Sequence, residues 1–279
     1  MIANINHVKK VLNDKQAKKK YGQNFLIDQN IVDKIAKGAC DKDTLTIEIG
    51  PGLGALTECL LKYSKAVDAY EIDRDMYEIL NDTLKDERLN VHLEDFLDTD
   101  LDKYKGEPLR VCSNLPYYVT TPILFKLFNS DLDIRKITVM VQKEVADRFK
   151  AEVNSPDYNA LTLIVQYLYD VECEMSVSKS VFYPSPKVDS AVIAFIPKRE
   201  RDFEYEQGLF KFFEGCFTKR RKTLHNNLKD FLDEDTINKI YESLSLNDNV
   251  RAQELDLDAF IKMYEVINEG VSGLREDHA

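Results

Sequence analysis

The chain has 279 residues, 44% of them hydrophobic and 31% charged, with a net charge of −11. That length holds one large domain or a large and a small one, and no stretch approaches the roughly 18 uninterrupted apolar residues of a membrane-crossing helix. The polar, Lys-rich amino terminus argues against a secretory signal, so a cytoplasmic protein with no membrane partner is expected. Five scattered cysteines (Cys40, Cys59, Cys112, Cys173, Cys216) form no C-x-x-C pair and read as reduced thiols. The four histidines show no ligand spacing, so no metal site is expected.

The acidic total counts against a nucleic-acid partner until its distribution is considered. Lys9, Lys10, Lys15, Lys18, Lys19 and Lys20 face one acid, Asp14, and a second basic island, Lys219-Arg220-Arg221-Lys222, stands in the carboxy-terminal part. Two such islands on an acidic body suit a phosphate backbone held at a defined place, or else are solvated helix faces.

In chain order, Met1 to Lys20 lacks a strong apolar period and reads as a loose arm or frayed helix. Tyr21 to Leu26 is a turn-like apolar segment before Asp28, a helix N-cap. Ile31, Val32, Ile35, Ala36 and Ala39 then follow helical spacing. Leu45–Ile49 is a strand running into Gly50-Pro51-Gly52-Leu53-Gly54, with helix from Ala55. Strand, glycine turn and helix open a doubly wound sheet. Strands follow at Ala66 to Ile72, Asn90 to Leu93, Leu109 to Cys112, Ile137 to Val141, Val171 to Val177 and Val188 to Ile196, with helices between most of them. The last two strands are close enough in sequence to form an antiparallel edge. From Arg199 onward only helical patterns remain. An α/β sheet domain over residues 1–199 and a small all-helical domain over 200–279 are expected.

Chemistry-bearing residues collect at the carboxyl ends of the strands, where open α/β sheets bind ligands. The glycine turn is edged by Glu48 and followed, 21 positions after Gly50, by Glu71 at the end of the next strand. A carboxylate there can take both hydroxyls of a ribose, and Asp95, beside Phe96, can accept from an adenine amine. A nicotinamide dinucleotide favours G-x-G-x-x-G, whose third glycine is Ala55 here, a substitution the motif tolerates. S-adenosylmethionine carries a sulfonium cation and no phosphate, so a turn edged with acids suits it better. The sheet reads as a Rossmann-like, S-adenosylmethionine-dependent methyltransferase sheet of about seven strands.

The strand Leu109 to Cys112 ends at Asn114-Leu115-Pro116-Tyr117. Pro116 holds this end extended, presenting an amide, a carbonyl and a phenol ring together. That set fits a planar amine on an aromatic ring: Asn114 and a carbonyl at Leu115 or Pro116 accept its N–H bonds while Tyr117 stacks. A Pro turn with Tyr117 in the core is the alternative.

These residues bring out a resemblance. Gly22-Gln23-Asn24-Phe25-Leu26, Glu48-Ile49-Gly50-Pro51-Gly52-Leu53-Gly54, Glu71-Ile72-Asp73, Asp95 and Asn114 to Tyr117 resemble the ribosomal RNA adenine dimethyltransferase family. Phe182-x-Pro184-x-Pro186-Lys187-Val188-Asp189-Ser190 and Arg220-Arg221-Lys222-Thr223-Leu224 extend the likeness, which runs in one order over about residues 18 to 228 and is closer to the bacterial small-subunit (16S) branch. It implies that Asn24, Leu26, Gly50, Gly52, Glu71, Asp95 and Asn114 contact S-adenosylmethionine. Two adjacent adenines near the 3′ end of small-subunit rRNA, in a pre-ribosomal 30S particle, would be the substrate of a monomeric enzyme. Asn114, Leu115, Pro116 and Tyr117 would carry the chemistry. Phe182 would sandwich the base with Tyr117, or else be a core aromatic. Lys18, Lys19, Lys187, Lys219, Arg220, Arg221 and Lys222 would hold RNA. One departure is Tyr158-Asn159-Ala160-Leu161-Thr162, where the family often has Tyr-Gly-x-Leu-Ser, so a loop of different shape is expected there. A large-subunit methyltransferase of the macrolide-resistance type, a non-catalytic ribosome-assembly factor and, more distantly, a nicotinamide oxidoreductase are the other readings. The first typically has Ile where Leu115 stands.

Overall fold

The computed structural model describes residues 2–14 and 24–276. Lys18, Lys19 and the Gly22-Gln23 part of the amino-terminal motif lie outside the described residues. The elements begin with α1 (Ile5–Asp14), β1 (Phe25–Leu26), α2 (Gln29–Ala39), β2 (Leu45–Ile49), α3 (Ala55–Tyr63), β3 (Ala66–Glu71), α4 (Arg74–Thr83) and β4 (Leu89–Leu93). The chain continues through β5 (Leu109–Asn114), α5 (Thr120–Phe128), β6 (Ile134–Gln142), α6 (Lys143–Arg148), α7 (Ala160–Leu168), β7 (Tyr169–Val177), β8 (Phe182–Tyr183) and β9 (Ser190–Pro197). It closes with α8 (Phe203–Phe217), α9 (Leu224–Leu228), α10 (Glu234–Leu244) and α11 (Leu257–Glu276).

Seven strands form one sheet in the order β4-β3-β2-β5-β6-β9-β7. β2 is buried along its whole length, as a strand flanked on both sides must be, and pairs in parallel with β3 and β5 through Ile47↔Asp68 and Ile47↔Val111. β9 runs antiparallel to β6. The chain winds outward from β2 through β3 to β4, then returns to lay β5 on the other side of β2. The reversal between β2 and β5 opens a crevice at their carboxyl ends, and the glycine turn and Asn114 sit at those two ends.

Local chemistry sets the elements around that crevice. Asp28 caps α2 by accepting from the Asn30 and Ile31 amides at 2.9 and 3.2 Å. Of the amino-terminal arm, the described residues 2–14 include a helix packed on the core. α1 presents Val8, 1% exposed, to the core, and the Ile2 amide donates to Glu58 at 2.9 Å. Phe25–Leu26, read as a turn, is a two-residue strand pairing Leu26 with Phe182.

The chain divides into two compact units. One comprises residues 1–146 and 170–197 and carries the sheet. The other comprises 147–169 and 198–279 and is built largely of helices around Phe212, Phe213, Phe217 and Phe260, whose rings meet at centroid distances of 5.6 to 6.4 Å. A single boundary near residue 199 therefore misses an excursion, because α7 belongs to the helical unit. Asn159 begins that helix. Its side chain accepts from the Leu161 amide at 2.9 Å and Thr162 accepts from the Asn159 amide at 3.3 Å, a reciprocal cap in which asparagine serves well.

Candidate active site

Three glycines shape the turn after β2. Gly50, Gly52 and Gly54 adopt φ of 71°, 57° and 86°. A Cβ on Gly54 would stand 2.4 Å from Leu80 Cδ1, so both backbone angle and packing demand glycine there. Glu71, at the end of β3, braces the turn: it accepts from the Gly52 amide at 3.0 Å and the Asp73 amide at 2.8 Å. Burial raises the Glu71 carboxyl above the usual range, and these backbone bonds pull it partly back.

On the other side of the crevice, the Ser113 hydroxyl donates to the Ile49 carbonyl and ties β5 to β2. Asn114 then donates its Nδ2 to the Asn24 carbonyl at 3.2 Å, which leaves Oδ1 as the acceptor atom of its amide. The Pro116 carbonyl already accepts from the Val119 amide at 3.1 Å and the Thr120 hydroxyl at 3.3 Å. Of the two carbonyls considered from sequence, that of Leu115 is the one left to serve. Tyr117 is half-buried and hydrogen-bonded to Ser190 at 2.9 Å between the hydroxyl oxygens, so its ring is held by that tether.

These groups line one cleft of about 850 Å³, open to solvent, walled by Asn24, Leu26, Glu48, Gly50, Glu71 and the Asn114–Tyr118 segment. Ile2 and Val8 complete its wall. Sequence reading missed those two residues, although Ile5, Val8 and Val11 recur every third position and signal a helix face. A second cleft of about 430 Å³ shares Gly50, Ile72, Pro116 and Tyr118 with the first and is lined by Asp95, Phe96 and Leu97. The loop carrying Leu97 is held by Lys126, which donates to the Leu97 and Thr99 carbonyls at 2.6 Å each. All seven expected cofactor contacts thus touch one or other of two adjoining clefts.

The base-stacking pair is corrected. Phe182 is 2% exposed, packs in the core with Phe25, Leu26 and Leu53, and is not on the cleft wall, as the core-aromatic alternative holds. It lies opposite Leu26 in the β1–β8 pair. The exposed ring beside the motif is Tyr118, at 56%. Among the expected RNA contacts, Lys187 is exposed, and Lys219 to Lys222 form the exposed turn between α8 and α9. Lys219 pairs with Asp230 at 2.7 Å, and Arg220 donates to the Pro156 carbonyl. Arg221 and Lys222 make no ion pair among the described residues.

A seven-stranded mixed sheet with a glycine turn and acids at its strand ends defines a Rossmann-like methyltransferase. The chain belongs to the ribosomal RNA adenine dimethylase family, which it matches over residues 14–269. It is 43% identical to the ribosomal RNA small subunit methyltransferase A of Mycoplasmopsis pulmonis over 89% of this chain and 98% of that relative. The same-named protein of Clostridioides difficile is 42% identical over 91% and 92% of the two chains. Among solved structures, a dimethyladenosine transferase from Plasmodium falciparum superposes with a TM-score of 0.73 at 28% identity, over 88% of this chain and 98% of that one. The 23S rRNA methyltransferase ErmE shares the fold, with a TM-score of 0.65 at 24% identity over 88% and 100%. No described helix is long and apolar enough to cross a membrane.

Proposed function

We infer that the protein transfers methyl groups from S-adenosylmethionine to the exocyclic amines of two adjacent adenines near the 3′ end of small-subunit rRNA. The observation that carries the chemistry is the Asn114 amide, which lines the cleft together with Glu71 and the glycine turn and whose Nδ2 donates to the Asn24 carbonyl, so that Oδ1 is its remaining acceptor. The residues fit the donor. Asp95 and Phe96 suit its adenine, Glu71 its ribose hydroxyls, and the segment from Gly50 to Gly52 with Asn24 and Leu26 its methionine end. When bound, the donor supplies an electrophilic methyl group on sulfur.

The chain's own part is positioning. An adenine amine is a weak nucleophile because its lone pair is delocalised into the ring. Hydrogen bonds from the amine to Asn114 Oδ1 and the Leu115 carbonyl localise that pair and aim it, with no strong general base required. The base leaves its stack to enter, and Tyr117, fixed by Ser190, offers a face worth roughly 1–3 kcal/mol of stacking. The exposed turn Lys219 to Lys222 holds phosphates of the RNA, which is read largely by shape and backbone. On this reading the protein acts in the cytoplasm, as a monomer, on a pre-ribosomal 30S particle.

The test is transfer of labelled methyl groups onto undermethylated small subunits, with large-subunit rRNA in parallel and dimethyladenosine measured in the digests. Dimethyladenosine on small subunits alone is expected. Product on large-subunit rRNA would place the chain with the resistance enzymes, and donor and particle binding without product would make it an assembly factor.

A further inference from the structure

One carboxyl group on the cleft is not used by the reading above. Glu48 is 1% exposed, lines the cleft just before Gly50, and its Oε2 has no hydrogen-bond partner among the described residues. The one hydroxyl set against it is that of Thr57 on α3, too far or too poorly aligned to make a full hydrogen bond. The titratable groups turned towards it are Glu71 at the end of β3, Cys40 just after α2 and Cys112 on β5. None of them carries positive charge. A buried carboxylate with no cation and a single weakly engaged hydroxyl beside it is costly, so the group is either neutral or waits for a positive partner.

We propose that Glu48 is the proton-linked counter-charge of the donor site, holding a proton in the free protein and releasing it to solvent when a positively charged donor binds. The inference rests on reading the cleft as an S-adenosylmethionine site. Burial pushes the Glu48 carboxyl up to about 8, the Thr57 hydroxyl offsets part of the rise, and charge on Cys40 or Glu71 adds to it. S-adenosylmethionine brings a sulfonium and an ammonium group. Either restores the missing attraction, so the carboxylate form is favoured in the complex and its O–H bond breaks. The sign follows directly. Below the free-protein value, binding must expel the proton, so donor affinity rises with pH by up to about tenfold per unit and levels off above about pH 8. Donor capture would thereby respond to pH although no histidine lines the cleft.

The experiment is calorimetric titration of S-adenosylmethionine into the full chain near neutral pH, in two buffers of different ionisation heat. The wild-type protein is expected to release close to one proton. E48Q is expected to bind more weakly, with no release and with affinity independent of pH. Binding without proton release in the wild type, or release that persists in E48Q and so belongs to Glu71 or Cys40, overturns the proposal. An infrared difference spectrum of the wild type keeps the test open should E48Q not fold. The protonated carboxyl band is expected to vanish when donor is added, and an unchanged band also overturns the proposal. No donor binding at all would overturn the reading of the site itself, and this inference with it.

Discussion

At the scale of single residues, the cleft separates groups proposed to contact ligand from groups that hold the backbone in place. Asn114→Ala removes the amide oxygen proposed to accept from the amine, an interaction that would strengthen as the lone pair localises. A fall of about 10²–10³-fold in single-turnover transfer is expected, with donor affinity changed far less. Gly54→Ala acts on the scaffold instead. It places a Cβ 2.4 Å from Leu80 at a φ of 86°, and a loss of about 1–3 kcal/mol in urea unfolding is expected. A variant that unfolds at the wild-type midpoint would show that the turn is not rigidly held. Glu48 links the site to stability. Its folded value of about 8 lies above the ordinary 4.5, so the folded state binds the extra proton between them. Stability is therefore retained below about pH 4.5 and falls as pH rises towards 8, by at most about 1.4 kcal/mol per unit from this group. Melting temperatures of the wild type and E48Q across that window are expected to diverge towards alkaline pH, the variant losing less.

At the scale of elements, the two clefts depend on loops that helices clamp. Lys126 reaches from α5 to the Leu97 and Thr99 carbonyls, in the loop that presents Asp95. Lys126→Met removes both bonds and keeps the aliphatic stem. Faster amide exchange at Leu97 and Thr99 is expected, and donor binding weaker by roughly tenfold, in line with about 1–2 kcal/mol for the lost bonds. Unchanged exchange would mean that the loop is held by its own turn, in which the Leu97 amide donates to Asp95 at 2.9 Å.

At the scale of the whole molecule, a net charge of −11 opposes RNA binding, so attraction must be concentrated where charge is not internally neutralised. In the turn after α8, Lys219 and Arg220 already have protein partners, whereas Arg221 and Lys222 are exposed without an ion pair among the described residues. The double variant R221E/K222E is therefore expected to weaken small-subunit binding strongly. Its salt dependence should flatten by a slope of about 2, while calorimetric donor affinity stays at the wild-type value. RNA affinity that does not change would move the phosphate contacts elsewhere on the chain.

Much of this was legible in the sequence wherever a signal is local. The β-branched run Leu45–Ile49 breaking into glycines, the acids closing successive strands, and proline stiffening Asn114 to Tyr117 each depend on near neighbours along the chain. Together they sufficed for the sheet, the turn and the row of groups that line the clefts. Burial and partnership depend on residues far apart, and only the tertiary structure decided them. The Asn114 amide is oriented by Asn24, 90 positions away, and Tyr117 is tethered by Ser190, 73 away. Phe182 is buried in a core cluster that includes Phe25, Leu26 and Leu53, all far earlier in the chain. The branch of chain from 147 to 169 joins the helical unit, where Tyr167 of α7 meets Phe210 of α8 at 5.8 Å. A local pattern states which face of a segment seeks cover; it does not state which distant surface supplies it.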